Sequence, residues 1–477
     1  MIHTAAPRYQ PSRWDDSDRE VGNSQLPLWK KILRLALPSI ATFSSTTLTS
    51  MVTLIMIGGL GAPAIAVAGI TNILIYNVWA LFAGINESIN YLVSQNFGEN
   101  TMVNGNQRMQ IALLLALGLD VLWLLSSIAL PYHILTWLGA NPTIVQDGTQ
   151  YLRIRMISFA FTLFTNTFYA YMRAVGDTRT PMTISLVTNV LLIPLTYLMT
   201  YGAFHFHGFG LNGSAWSMVI TEALGMALAL HVYYCRYAVK FATRTWHHMS
   251  WEQVGLIMGE SVKLSAMELS MSLGMLVFTA VIARLGTAAV AANEIALNIL
   301  SLGFMPANGF GAAATILVGQ HVGGRRPLEA RRDGLYTLVL GLIFMALFSI
   351  FLWLFALPVA RIYTSDTRVY ILAVSLIHIA SFFQLVDGAG IILAGALRGV
   401  GDTTFLFRIS LILNWIVFVP LTILLTSVFH LGQAGAWVAL YALIVLIGVA
   451  NGWRYLKLDW STIVSQSVRV ESVTNRS

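Results

Sequence analysis

Along the chain, long apolar runs alternate with short polar breaks. Runs long enough to cross a hydrocarbon core of roughly 30 Å, about 20 residues each, recur near 32–57, 66–94, 109–130, 152–172, 182–204, 212–234, 256–283, 288–320, 335–357, 369–397, 405–428 and 433–456. They are continuous rather than alternating in two-residue steps, so twelve transmembrane helices are predicted and not the strands of a barrel. The same pattern divides the chain into a polar tail at 1–30, a first six-span lobe at 31–245, a second at 246–460 and a C-terminal tail at 461–477. The opening 27 residues contain no apolar stretch and do not read as a cleaved signal peptide.

The two lobes share one register. RAVGDT at 173–178 recurs as RGVGDT at 398–403, an offset of 225 residues. At the same offset GLGAPAIAVAGI at 59–70 lies over RLGTAAVAANEI at 284–295, LVSQNFGEN at 92–100 lies over LVGQHVGGR at 317–325, and Asn189 lies over Asn414. Six spans per copy return the second lobe in the orientation of the first, which puts a pseudo-two-fold axis along the membrane normal.

Composition agrees with a membrane protein: 56% of residues are hydrophobic and 10% are charged, whereas a soluble domain carries about a quarter charged. Mean hydropathy is +0.70. All Lys and Arg except Arg153, Arg155, Arg284, Arg361 and Arg368 fall on the side of the termini. The positive-inside rule therefore predicts a multi-pass protein of the plasma (inner) membrane with both termini cytoplasmic. The net charge of +7 follows from that topology; no basic, aromatic-interleaved soluble segment suggests nucleic-acid binding. The single cysteine, Cys235, excludes an internal disulfide or a CxxC pair. GxxxxGK[ST], HExxH and GxSxG are all missing from the sequence, so neither ATP hydrolysis nor a familiar hydrolase site is indicated.

Intramembrane polarity is left to carry function. Polar residues recur on single helix faces: Thr42, Thr46, Thr49 and Thr53; Glu87, Asn90 and Ser94; Ser265, Glu268, Ser272 and Thr279; Glu294, Asn298, Ser301 and Asn308; Gln384 with Asp387. An ionised carboxylate at mid-membrane depth costs about 2.5 to 3.5 kcal/mol on insertion scales. Glu87, Glu268, Glu294 and Asp387 have no Lys or Arg at mid-span to neutralise them, so each should be protonated at rest, hold a cation or meet a cationic substrate. Lys263 is expected to pair with Glu260 three residues before it. Asp120 and Glu222 belong to no polar stripe and read as structural, and His378 reads as a packed neutral histidine.

The two six-span lobes, the VSQNFGEN and VGQHVGG segments, NEIALNI at 293–299 and the duplicated RAVGDTRTP and RGVGDT resemble the multidrug and toxic compound extrusion (MATE) transporters. The resemblance implies an all-α, V-shaped fold of two pseudo-symmetric lobes. It implies a monomer without cofactor, in which sodium ions or protons move inward as organic cations leave. Carried over by residue, it makes Asp387 the cation site, where sodium would bind. One branch of the family uses a first-span aspartate, where this chain has Thr49 and Thr53. Glu268 stands about one turn before the family's seventh-span glutamate position, near Met271. The expected coupling cluster is then Asp387, Glu268 and Glu294, with Glu87, Asn90, Thr49, Thr53, Asn298, Ser272, Gln384 and Phe383 as substrate-cavity residues.

The doubled hexapeptide falls at turns after the fourth and tenth spans. Gly176 and Gly401 suit helix C-termini, Asp177 and Asp402 suit N-caps of the following helices, and Arg173 and Arg398 suit a membrane surface, so a structural or gating role is expected. A flippase for a lipid-linked glycan and a membrane-embedded enzyme are the rival readings. The first would need a cationic cavity and the second a His, Ser or metal constellation at one membrane face.

Overall fold

The computed structural model describes residues 27–137, 142–203, 206–247, 249–363, 367–463 and 465. The tails predicted at 1–30 and 461–477 fall almost wholly outside them. Twelve long helical segments run through the described residues. The first lobe holds α1 (Leu28–Gly58), α2 (Ala62–Glu99), α3 (Met102–Trp137), α4 (Pro142–Ala174), α5 (Arg179–Tyr201) and α6 (Leu211–Phe241). The second holds α7 (Trp251–Ala283), α8 (Thr287–Gly323), α9 (Pro327–Tyr363), α10 (Thr367–Val400), α11 (Thr403–Val428) and α12 (Gly432–Lys457). Ten of the described helices are long and apolar enough to cross a bilayer. A two-residue hairpin, Gly202–Ala203 with Phe206–His207, joins α5 to α6.

The 225-residue register is written into the backbone. Gly176 and Gly401 have φ of +89° and +86°, a region open to glycine and strained for most other residues. Around each glycine the same two bonds close the helix: Gly176 N–H to Arg173 O at 2.8 Å and Asp177 N–H to Met172 O at 2.9 Å, then Gly401 N–H to Arg398 O at 2.8 Å and Asp402 N–H to Leu397 O at 3.0 Å. This is a Schellman termination in both copies. The mapped asparagines also act alike. Asn189 Nδ2 donates to Ser45 Oγ at 2.9 Å, and Asn414 Nδ2 donates to Ser270 Oγ at 3.1 Å, tying α5 to α1 and α11 to α7.

The capping aspartates differ. Asp177 accepts from Thr180 N at 3.0 Å and from Tyr237 Oη at 2.7 Å, so it does cap α5. Asp402 makes no side-chain cap bond and instead accepts from Arg454 Nε at 2.6 Å. The C-lobe turn is thus held by an ion pair to α12 in place of the expected cap. The predicted Lys263–Glu260 pair forms, and Thr403 Oγ1 donates to the same Glu260 carboxylate.

Two matched seams join the lobes. Along α2 and α7, Ser272 Oγ donates to Asn77 Oδ1 at 2.9 Å, Gly84 N–H to Ser265 Oγ at 3.1 Å, and Ser88 and Ser261 hydroxyls meet at 3.0 Å. The counterpart of Gly84 is Gly309 on α8, which packs on Ile40 and Ala36 of α1. Ser265 and Ser272, the second of them expected as a substrate-cavity residue, thus make interhelical bonds, as small polar residues often do in membranes.

At the end of the bundle bearing the hexapeptide turns, α2 crosses α8. Gln95 Nε2 donates to Gly399 O at 2.9 Å, and Gln320 Nε2 donates to Ala174 O at 2.9 Å. Each lobe's second helix satisfies a carbonyl of the other lobe's Schellman turn, which explains why the QNFG and QHVG segments recur with the hexapeptide.

Candidate substrate and coupling sites

The polar residues of the sequence sort into two places, one between the lobes and one inside the second. Between the lobes, a cavity of about 50 Å³ is lined by Phe43, Glu87, Asn90, Arg173, Asn308 and Arg398 with further apolar residues of α8 and α10. Arg398 forms an ion pair with Glu87 across the lobe boundary, with side-chain exposures of 16% and 30%. Arg173 is 8% exposed and its guanidinium lies over the Phe43 ring, 5.9 Å from the centroid. The two arginines of the repeated hexapeptide therefore turn inward on related paths, in contrast to the expected surface address. Glu87 is not without a cation: the neutralising charge comes from a helix end, not from mid-span. Glu268 lies within Coulombic range of Arg398 and Glu87, and Tyr76 lies near Glu268.

A pocket of this volume admits a head group or one or two waters, since a water's share of liquid volume is about 30 Å³. Drug-sized ligands occupy roughly 300 to 1,000 Å³. In this arrangement the lobes are closed over it at the hexapeptide end. Breaking one partner of the cross-lobe pair should loosen that closure. Glu87→Gln and Arg398→Gln are each expected to lower the unfolding midpoint, and a double-mutant cycle should return a coupling on the order of 1 to 3 kcal/mol. Strictly additive effects would show that the pair does not join the lobes.

Inside the second lobe, Asp387 sits half-buried on α10 one turn after Gln384, with Tyr441 of α12 in its electrostatic neighbourhood. Gln384 is 2% exposed, packs on Gly303 of α8, and leaves both amide atoms without a hydrogen-bond partner among the described residues. The Tyr441 hydroxyl is likewise unpartnered, while its ring stacks on Phe383 at 4.1 Å and 13°. Further along α8, ten residues before Gly303 and so apart from this group, Trp437 Nε1 donates to Asn293 Oδ1 at 3.1 Å, and Asn293 Nδ2 has no partner among the described residues. Buried polar atoms are nearly always paired. A wall with several unpaired donors and acceptors beside a carboxyl is suited to a small polar or cationic guest.

Of the other residues singled out in the sequence, Thr49 and Thr53 are buried on α1 and the Thr53 hydroxyl is unpartnered among the described residues. The side chains of Glu294 and Asn298 lie outside the described residues. His378 packs as expected, its ring 5.6 Å from that of Trp353 and Nε2 3.2 Å from the Trp353 carbonyl oxygen. Asp120 is 3% exposed with neither carboxyl oxygen bonded to a described residue. Glu222 of α6 lies within hydrogen-bonding reach of Thr162, the first-lobe counterpart of Asp387. Tyr441 escapes sequence reasoning because an aromatic run on α12 looks like ordinary packing until α10 and α12 are brought together.

Two homologous six-helix lobes around a charged interface, with an acid-bearing polar wall inside one of them, define a multi-pass membrane transporter of duplicated design. The MatE family model matches residues 38–198 and again 264–424, once in each lobe. The chain belongs to that family, the MATE transporters, and its members are not enzymes. A probable multidrug resistance protein NorM of Xanthomonas campestris pv. campestris is 30% identical over 434 residues, covering 88% of this chain and 92% of that one. One of Thermotoga maritima is 30% identical over 324 residues, 66% of this chain and 68% of its own. Among solved structures, a MATE in the straight conformation superposes with a TM-score of 0.82 at 20% identity, over 97% of this chain and 100% of its own, which shows the fold.

Proposed function

We propose that the protein is a secondary active antiporter that exports amphiphilic organic cations in exchange for sodium ions or protons. It works by alternating access of its two lobes in the plasma (inner) membrane, with both termini cytoplasmic. The observation that carries this reading is Asp387, a carboxyl held inside one lobe among unpaired groups of Gln384 and Tyr441. A proton would neutralise that carboxyl; a sodium ion, as cargo, would be held by it together with amide and phenol oxygens, the hard donors it prefers. Either guest binds one lobe arrangement better than the other, and only such differential affinity can couple a gradient to a conformational change. The small size of the interlobe cavity supports the same scheme, because a substrate can be admitted only when the lobes part. Drug extrusion is also what the name of the NorM relatives describes.

The test is flux in proteoliposomes with a sodium gradient and a pH gradient imposed separately, following ethidium as a flat organic cation. One gradient should drive accumulation and the other should not; accumulation under neither would sink the reading. The glycan-flippase alternative gains one observation from the structure, since Arg173 and Arg398 both face the interlobe cavity. It predicts gradient-independent movement of a lipid-linked pyrophosphate in the same vesicles.

A further inference from the structure

We propose that His321 and Asp333, at the junction of α8 and α9, form a proton-binding site, and that one proton taken up there favours the arrangement in which the lobes are closed at the hexapeptide end. The site is separate from Asp387 and does not depend on which ion drives export.

The 225-residue register pairs His321 with Asn96, Arg326 with Thr101 and Asp333 with Arg108, and the two junctions are built alike. The same backbone bond closes α2 and α8: Thr101 N–H to Asn96 O at 2.9 Å, and Arg326 N–H to His321 O at 2.8 Å. A side chain of the next helix then reaches back to the same residue. Arg108 Nη1 donates to Asn96 Oδ1 at 2.9 Å, and Asp333 Oδ2 lies 3.3 Å from His321 Nδ1. In the first lobe the link joins an amide to a guanidinium, and neither changes charge near neutral pH. In the second it joins an imidazole to a carboxyl, and the imidazole is the side chain whose charge changes most readily there.

The Asp333 side chain is 2% exposed and the imidazole 17%. Arg332 also reaches Asp333, at 3.3 Å, but from a side chain 57% exposed, where water screens its charge. A buried carboxylate so weakly compensated is costly, and one proton shared along the contact makes the pair neutral, whichever atom holds it. The ring's other contacts act in the same direction: Nε2 lies 3.3 Å from Glu329 Oε2, and Nδ1 lies 3.0 Å from Leu317 O. A neutral ring has one N–H to offer three acceptors, and a protonated ring has two. The further charged and titratable groups here are Arg326, paired with Glu329 at 3.2 Å, and Tyr455 of α12, which is in Coulombic range of Asp333 and donates to Arg331 O. The other helices meet this end of α8 through carbonyls, that of Gln95 on Gly323 and that of Gly399 near Gly319. His321 directly follows Gln320, whose amide closes the lobes on Ala174 O. A neutral pair fixes the last turn of α8 to α9 and holds these closing contacts in place; a charged pair draws water to the turn and loosens them.

The experiment reads spin-label distances in the full chain in nanodiscs, with labels on Val103→Cys and Leu456→Cys, exposed positions of the two lobes. The parent also carries Cys235→Ser and Asp387→Asn, so that neither the native thiol nor the intramembrane carboxyl contributes. Between about pH 8 and about pH 5.5, a window that spans the ordinary imidazole value, the ratio of short to long distances should rise about fivefold or more. His321→Gln leaves Asp333 charged and should hold the alkaline ratio at every pH. Asp333→Asn makes the pair neutral without a proton and should hold the acid ratio at every pH. A role confined to packing would move both variants in the same direction. The proposal is overturned by a parent that does not respond to pH or that opens with acid, and neither result requires a variant to fold. It is equally overturned if His321→Gln keeps the parent's response, or if the two variants settle at the same ratio. Distances are read without a gradient or a substrate, so none of these outcomes bears on export.

Discussion

Asp387→Asn is expected to reduce gradient-driven efflux to the level of empty vesicles while leaving a folded protein. Asparagine keeps the shape of the side chain and its ability to hydrogen-bond near Gln384 and Tyr441, so the packing of α10 against α8 and α12 should survive. What it loses is the capacity to exist in two charge states. A site that neither takes up a proton nor offers a charged oxygen to sodium has nothing that differs between the two lobe arrangements, and a ligand or gradient can shift an equilibrium only by its differential interaction. Removing an ionisable group from the bilayer should also leave the unfolding midpoint equal or raised, since such groups are costly there. Everted vesicles loaded by either gradient, with the melting curve of the purified variant alongside, make the measurement. Full efflux by a well-folded Asp387→Asn protein would remove Asp387 from the coupling role.

Much of the architecture is legible in the chain because a duplication writes its constraints twice. Glycine before aspartate at a span end reads as a Schellman turn at either copy, and finding it at Gly176 and Gly401 separates a required backbone conformation from chance. The same holds for Asn189 and Asn414, which tie equivalent helices. The direction of long side chains near a helix end is not legible. The positive-inside rule places Arg173 and Arg398 at a membrane surface because it weighs only where along the chain a basic residue falls. An arginine one or two residues from a helix end can point outward or back along the helix into the protein. Glu87 lies 311 residues from the arginine that neutralises it, so no local spacing connects them. The Asp387 wall is half legible: the acid and Gln384 share a helix face, whereas Tyr441 joins them only through tertiary packing. Asp402 shows the limit of the repeat itself. It has the same letters as Asp177 and a different partner, because Arg454 on α12 outcompetes the cap.

Gly98→Val should push the lobes apart at the hexapeptide end and trap the transporter open on that side. A Cβ at Gly98 would sit 2.7 Å from the Gln320 carbonyl carbon, and one at the equivalent Gly323 would sit 2.7 Å from that of Gln95. Both contacts are with backbone, which has no rotamer by which to yield, so α2 and α8 must separate. Separation strains or breaks the Gln95–Gly399 and Gln320–Ala174 hydrogen bonds that close this end. Overpacking of this kind costs typically about 1 to 3 kcal/mol, and it is borne only by the closed arrangement, so it moves the lobe equilibrium by roughly 5- to 150-fold. Spin labels on Val103→Cys and Leu328→Cys, equivalent exposed positions of the two lobes, report it directly once Cys235 is replaced by Ser. In Gly98→Val the label separation should lengthen and its short component disappear, with efflux falling by about tenfold or more. Gly323→Val should do the same, because the crossing is symmetric. A distance distribution unchanged from the parent in both variants would mean that the α2–α8 crossing is not the closure on which the transport cycle turns.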